Sequence, residues 1–213
     1  MKNSQQFGSR GVTEILHFTT DSGAIGVLKT RALIPRAQLP KEEQLEYILK
    51  PNCDVRKDAP WTNHNSLSVS KINTQFFRFS QREHGVSKDL WWCILAFHPD
   101  ILAHPDVVFS TGNNTWPRSL KGKGVDGFAQ MFADPVPGRY DTWVRRQMGM
   151  PDSLPTSIEA EVLYPGRLAI DHLTRTYFLT QDNADHFLAV ARTLHLDFAD
   201  DIVCVDPQKF RGA

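Results

Sequence analysis

The chain has 213 residues, of which 41% are aliphatic or aromatic and 23% charged, enough for one well-cored domain and too ordinary a mixture for extended disorder. Lys plus Arg and Asp plus Glu balance at 24 each, so any nucleic-acid partner must be held by local basic patches and not by a global field. Cys53, Cys93 and Cys204 lie far apart without a C-x-x-C, which suits a reducing cytoplasm; the polar start shows no secretory signal, and no apolar run nears the ~20 residues that cross a bilayer.

Residues 1–13 read as a polar lead-in to a single domain spanning 1–213. Ile15-Leu16-His17-Phe18 is a short strand, and Thr20-Asp21-Ser22-Gly23 carries helix-capping residues ahead of an apolar helix that ends near Arg31. Lys41 to Leu49 reads as a charged helix stopped by Pro51, with a polar loop onward to His64. Ser66-Leu67-Ser68-Val69-Ser70 alternates strictly and predicts a strand with hydroxyls on one face.

Ile72 to His84 predicts a helix crowded by Phe76, Phe77 and Phe79, and Leu90–Phe97 a central strand buried on both faces. Val107–Phe109 is a further short strand. From Thr111 to Ser157 glycines and prolines dominate, with one helix expected at Thr142–Met148. Ala160–Tyr164, Arg167–Ile170, Thr176–Leu179 and Asp201–Val205 read as strands and Asn183–Leu194 as a helix. Strands outnumber long helices without alternating with them, which makes the class α+β.

Several motifs compete for the chemistry. Gly122-Lys123-Gly124-Val125-Asp126-Gly127 matches G-x-G-x-x-G, yet it lacks an apparent preceding strand and long following helix, so its glycines read as part of a mobile loop. The eight histidines show no ligand spacing and no cysteine pairs with one, so no metal site is expected. No G-x-S-x-G elbow supports a serine hydrolase.

The strongest signal is Glu159-Ala160-Glu161 leading into Val162-Leu163-Tyr164-Pro165 behind a Pro- and Ser-rich loop. Two acids two residues apart share one face of a strand and repel, a costly arrangement unless one serves chemistry or a cation offsets it. Taken singly, His17 reads as a core histidine, Ser68 and Ser70 as solvent-facing hydroxyls, and the Glu pair as a charged strand edge.

Taken in order, His17-Phe18-Thr19-Thr20, then Ser68-Val69-Ser70-Lys71-Ile72-Asn73, then Ala160-Glu161-Val162-Leu163-Tyr164-Pro165 resemble the ADP-ribosyltransferase fold and, more closely, the DarT family of bacterial toxins that ADP-ribosylate DNA bases using NAD. The resemblance spans about residues 14–180 and implies a split β-sheet core with flanking helices and a long irregular substrate loop. It implies Glu161 as the catalytic carboxylate on the nicotinamide ribose 2′-hydroxyl, His17 on the adenosine ribose with Thr19 in support, and Ser68 and Ser70 on the nicotinamide side. Thymidine-modifying members carry Gln where this chain has Glu159 and lack the clean Ser-Val-Ser, which leans the expectation towards guanine, with Glu159 as a base for its exocyclic amine.

Arg31 and Arg36, with Lys71 as a further possibility, are the candidates for the pyrophosphate. Arg118, Lys121 and Lys123 form one basic cluster for DNA; Arg139-Tyr140-Asp141-Thr142-Trp143-Val144-Arg145-Arg146 interleaves cations with aromatics as single-strand binders do, although the same stretch also reads as an amphipathic helix with Trp143 and Val144 packed inward. A base must leave its stack to meet NAD, so single-stranded DNA is the expected substrate, and a toxin implies an antitoxin that removes ADP-ribose. Transfer to RNA or protein, and a non-catalytic nucleic-acid-binding module, are the alternatives. E-x-E also marks protein arginine modifiers, which usually open with Arg where this chain has His17.

Overall fold

The computed structural model describes residues 7, 8, 10–40, 59–83 and 90–211; the helix expected at Lys41–Leu49 lies outside them. In chain order the elements are β1 (Ile15–Thr20), α1 (Asp21–Thr30), β2 (Ala32–Leu33), β3 (His64–Val69), α2 (Thr74–Glu83), β4 (Trp92–Phe97), β5 (Val108–Ser110) and β6 (Lys121–Lys123). There follow α3 (Gly124–Gln130), β7 (Val136–Pro137), β8 (Trp143–Val144), β9 (Glu161–Pro165), β10 (Leu168–Ala169), β11 (Leu173–Phe178), α4 (Gln181–Thr193) and β12 (Val203–Val205).

Eight strands form one sheet in the order β12-β11-β4-β1-β3-β9-β5-β6, the mixed α+β arrangement expected. β4 sits at its centre with both faces buried, which is why Trp92–Phe97 reads as a continuous apolar run and not as an alternation. On one face Ile15, Leu95 and Phe178 pack under Ala24, Val27 and Leu28 of α1 and Ala184 and Phe187 of α4. On the other, Leu16, Ile94 and Tyr177 meet Ile72, Phe77 and Phe210. Tyr177 and Lys209 both donate to Glu14, tying the C-terminal turn to the start of β1.

The decisive feature for function is a divergence of two strands. β1 pairs with β4 along its whole length but with β3 only at Ile15↔Val69 and Leu16↔Ser68. β3 meanwhile pairs with β9 through His64↔Pro165 to Leu67↔Val162. Beyond Leu16 the two halves of the sheet therefore splay apart, and a cleft opens between β1 and β3.

Four expectations need correction. Thr142–Met148 is not a helix: Trp143 and Val144 pair with Pro137 and Val136 in a β-hairpin, so cross-strand pairing overrides the helical pattern. The glycine-rich motif is not a loop either. It runs from β6 into the seven-residue α3, and a Cβ on Gly127 would lie 2.3 Å from the Gly122 carbonyl carbon, so the glycines let a strand and a helix touch backbone to backbone. Within the expected polar lead-in, Phe7 is a core residue, 5% exposed and packed against Phe109 and Phe128. Residues 167–170 form only the two-residue β10 followed by a 3₁₀ turn.

Candidate active site

The splayed strands enclose a cleft of about 970 Å³, inside the usual range of ligand pockets, about 300–1,000 Å³. One wall is the outward half of β1 with α1 behind it, contributing His17 and Thr19. The separation of β1 from β3 leaves the Ser66 carbonyl without a ladder partner, and His17 Nδ1 donates to it at 3.0 Å. That bond fixes the proton on Nδ1 and leaves Nε2 as an acceptor for a hydroxyl. Burial holds the imidazole below the ordinary histidine value, only partly opposed by the Ser66 carbonyl, so it is neutral at pH 7.

Thr19 reaches the cleft because position 23 has no side chain: a Cβ there would lie 2.1 Å from Thr19 Oγ1. Ala at 23 is a better helix former by up to about 1 kcal/mol, yet it forces the threonine hydroxyl to rotate away. Gly23→Ala is therefore expected to keep or raise the melting temperature while raising the KM for NAD roughly 2- to 12-fold, the value of one hydrogen bond. Steady-state kinetics beside a thermal melt checks both halves.

The opposite wall holds Glu161 but not Glu159, which lies outside the lining. Glu161 opens β9, half-buried, and lines the cleft. Its Oε2 accepts two hydrogen bonds from Asn114, from the backbone N–H at 2.8 Å and from Nδ2 at 2.7 Å. Ser110 of β5 pairs with both Glu161 and Lys121, so the three residues stand in one row across the sheet. Burial lowers the Lys121 pKa, and the Glu161 carboxylate works against that by favouring its charge.

Glu159 does not share a strand face with Glu161, as the E-x-E spacing suggested, because β9 begins only at Glu161 and Glu159 sits in the preceding turn. Its backbone N–H donates to Ser157 Oγ. Burial raises its carboxyl pKa, with Arg139 opposing and Glu161 adding to the rise.

The other expected residues divide sharply. Arg36 lines the cleft, as does Lys29, which the sequence did not single out. Arg31 does not: it closes α1 in the left-handed region at φ 52° and its guanidinium is held by Asp171 at 3.4 Å and Asp197 at 3.0 Å. Ser68 stands in register with Leu16 and is outside the lining, where Ser66 and His64 stand instead. Ser70, at φ 60° with a buried hydroxyl that has no partner among the described residues, and Lys71 also lie outside it. For Ser68, Ser70 and Lys71 the physical reason is shared: β1 and β3 are still paired at Ser68, and the cleft opens only beyond it.

At the mouth, the β7–β8 hairpin gathers Arg118, Arg139, Tyr140 and Trp143. Arg118 pairs with Asp141 at 3.2 Å and stacks over Trp143, and Arg139 lies over Tyr140 at 4.6 Å and Trp116 at 5.9 Å. Tyr140 is 80% and Trp143 57% exposed, so neither packs inward. Lys123 sits at the sheet edge, bound to Asp106 at 2.7 Å, whose carboxyl it holds below the usual range.

Arg145 and Arg146 part company. Arg145 is exposed, whereas Arg146 donates to the carbonyls of Leu154 at 2.8 Å and Pro151 at 3.0 Å within the loop that leads to Glu161. Arg146 thus braces the loop that leads to Glu161. Arg146→Ala is expected to cost about 2 kcal/mol of stability with little change in the salt dependence of DNA binding. Arg145→Ala is expected to leave the melting temperature alone and reduce that salt slope by about one.

The sequence profile described as "ssDNA thymidine ADP-ribosyltransferase, DarT" matches residues 16–209. The chain belongs to the DarT family. Its class is that of an NAD-dependent DNA ADP-ribosyltransferase. Among solved structures, a Thermus sp. 2.9 DarT in complex with NAD+ superposes with a TM-score of 0.62 at 11% identity, covering 93% of this chain and 98% of the Thermus chain. The same Thermus protein in complex with ADP-ribosylated ssDNA gives 0.64 at 10% identity, covering 94% and 97%. Thermosipho africanus DarTG in complex with ADP-ribose gives 0.59 at 12% identity; 93% of this DarT-family chain is covered, against 51% of the Thermosipho chain. No curated protein matches.

His64, Asn65, Trp61, Asn113, Asn114 and Trp116 also line the cleft and were not singled out from the sequence. The one available signal was Gly112-Asn113-Asn114-Thr115, a small polar cluster directly after an apolar strand.

Proposed function

We propose that this chain transfers ADP-ribose from NAD to a nucleobase of single-stranded DNA, with Glu161 as the catalytic residue. The observation that carries it is a half-buried carboxylate, oriented by two hydrogen bonds, facing across one cleft a histidine whose tautomer is fixed. NAD lies with its adenosine ribose at His17 and Thr19 and its nicotinamide ribose at Glu161; Arg36 and Lys29 meet the pyrophosphate. The bond from nicotinamide nitrogen to ribose C1′ breaks, the electron pair leaves with nicotinamide, and the ribose passes through an oxocarbenium-like state. Glu161 stabilises that charge through the 2′-hydroxyl.

The acceptor base enters past Tyr140 and Trp143. Guanine is the favoured acceptor: as its exocyclic nitrogen bonds to C1′, its proton passes to Glu159, whose burial lifts its pKa towards that of a useful base. Thymine is the second reading, favoured by the description of the family. Oligonucleotides holding a single G or a single T, treated with protein and NAD and digested to nucleosides, decide by mass spectrometry. ADP-ribosyl-guanosine supports the first reading, and ADP-ribosyl-thymidine overturns it while leaving the reaction class intact.

A single domain over 1–213 acting in the cytoplasm as a toxin fits this chemistry, since a bulky, doubly charged ADP-ribose on a base obstructs copying of the strand. Its counterpart is then an antitoxin that hydrolyses ADP-ribose from DNA. No helix among the described residues is long and apolar enough to cross a membrane.

A further inference from the structure

We infer that Asn114 is the positioning residue of the active site, the group that sets the orientation and charge of Glu161. The inference rests on Glu161 being catalytic, as proposed above. Both donors of Asn114 converge on one oxygen of Glu161, Oε2, from a residue 47 positions away in sequence. Two short donations to a single carboxylate oxygen favour the ionised form and fix the carboxylate plane. That is what stabilising a developing cation requires of a group that must not reorganise during the reaction.

The loop bearing Asn114 is itself braced. Asn113 Oδ1 accepts from the Thr115 N–H at 2.9 Å and the Thr115 hydroxyl at 2.6 Å, and the Asn113 carbonyl accepts from Ser119 Oγ at 2.9 Å. The carboxylate is thus anchored to a rigid turn and not to a mobile one.

A second observation separates positioning from mere packing. Asn114 Oδ1 is buried and has no hydrogen-bond partner among the described residues. A buried acceptor left unpaired costs stability and offsets part of what the Nδ2 donation to Glu161 contributes, so the side chain adds little net stability to the fold. The two roles are distinguishable, because truncating a structural asparagine lowers stability and keeps kcat, whereas truncating a positioning one lowers kcat.

The test measures transfer from NAD to a single-stranded oligonucleotide, together with thermal melts, for Asn114→Ala, Asn114→Asp and Glu161→Gln in the full chain. Asn114→Ala keeps the backbone donor and loses Nδ2; the expected result is a kcat lower by roughly 10- to 100-fold, a KM for NAD within about threefold of the parent, and a melting temperature unchanged or raised. Asn114→Asp is nearly isosteric but puts a carboxylate against a carboxylate, and it is expected to lose more kcat than Asn114→Ala. A lowered melting temperature with kcat retained, or Asn114→Asp more active than Asn114→Ala, overturns the positioning role. Should Glu161→Gln itself transfer at the parental rate, the catalytic reading beneath it fails instead.

Discussion

Glu161→Gln is expected to lower kcat for ADP-ribosyl transfer about a thousandfold while leaving the fold intact. Glutamine keeps the length of the side chain and can still accept from Asn114, so the loop stays in place. It cannot supply the negative charge that faces the oxocarbenium-like ribose. Because the residue stands half-buried on a cleft wall and not in the core, the melting temperature should move by only a few degrees. The KM for NAD should change far less than kcat, since an interaction made mainly in the transition state shows in the rate. The proposed toxin role predicts that the parent protein arrests bacterial growth and that the same substitution relieves the arrest; unchanged toxicity would remove Glu161 from its proposed role.

The second large effect is expected at the mouth of the cleft. Trp143→Ala and Tyr140→Ala should each weaken single-stranded DNA binding by about 1–3 kcal/mol, roughly 5- to 150-fold. Both rings are exposed beside a guanidinium, Arg118 over Trp143 and Arg139 over Tyr140, an arrangement that offers a flat surface to a base and a charge to its phosphate. An aromatic residue left in water is a poor contributor to folding, so stability should hold in both variants. Fluorescence anisotropy with a labelled oligonucleotide measures the loss, and the KM for NAD at saturating DNA should stay constant. Loss of NAD binding in parallel would instead mean that the hairpin supports the nucleotide wall.

Much of the fold was legible because the strands that build it carry local patterns. Strict alternation marks β3, and an unbroken apolar run marks β4, whose two faces are both covered. The mistaken helix at Thr142–Met148 had no such protection: Trp143 and Val144 are strand residues only because Val136 and Pro137 are there to pair with them. The face shared by Glu159 and Glu161 failed for a related reason, since strand periodicity applies only from Glu161 onward.

The same logic runs through the site. His17, Thr19, Arg36 and Glu161 reach the cleft, and each stands in or beside a stretch with a readable local pattern. Ser68, Ser70 and Lys71 do not, because where β1 and β3 part is set by pairing across the sheet and not by either strand alone; Arg31 is drawn off by Asp171 and Asp197, and Glu159 sits in the turn before β9, outside the lining. Asn114 escaped notice for the same cause: a Gly-Asn-Asn-Thr run has no periodicity, and its meaning lies in a carboxylate 47 residues away. Arg146 looked like a phosphate ligand because its brace partners are backbone carbonyls, which any sequence provides.

The most direct test of the central claim is transfer of label from isotopic NAD to separate pools of single-stranded DNA, duplex DNA, RNA and bulk protein, run with the parent chain and with Glu161→Gln. Label confined to single-stranded DNA, and lost in the variant, is the predicted result. Label on RNA or protein alone would contradict the assigned substrate, and no NAD consumption in any pool would contradict catalysis itself and leave a nucleic-acid-binding module.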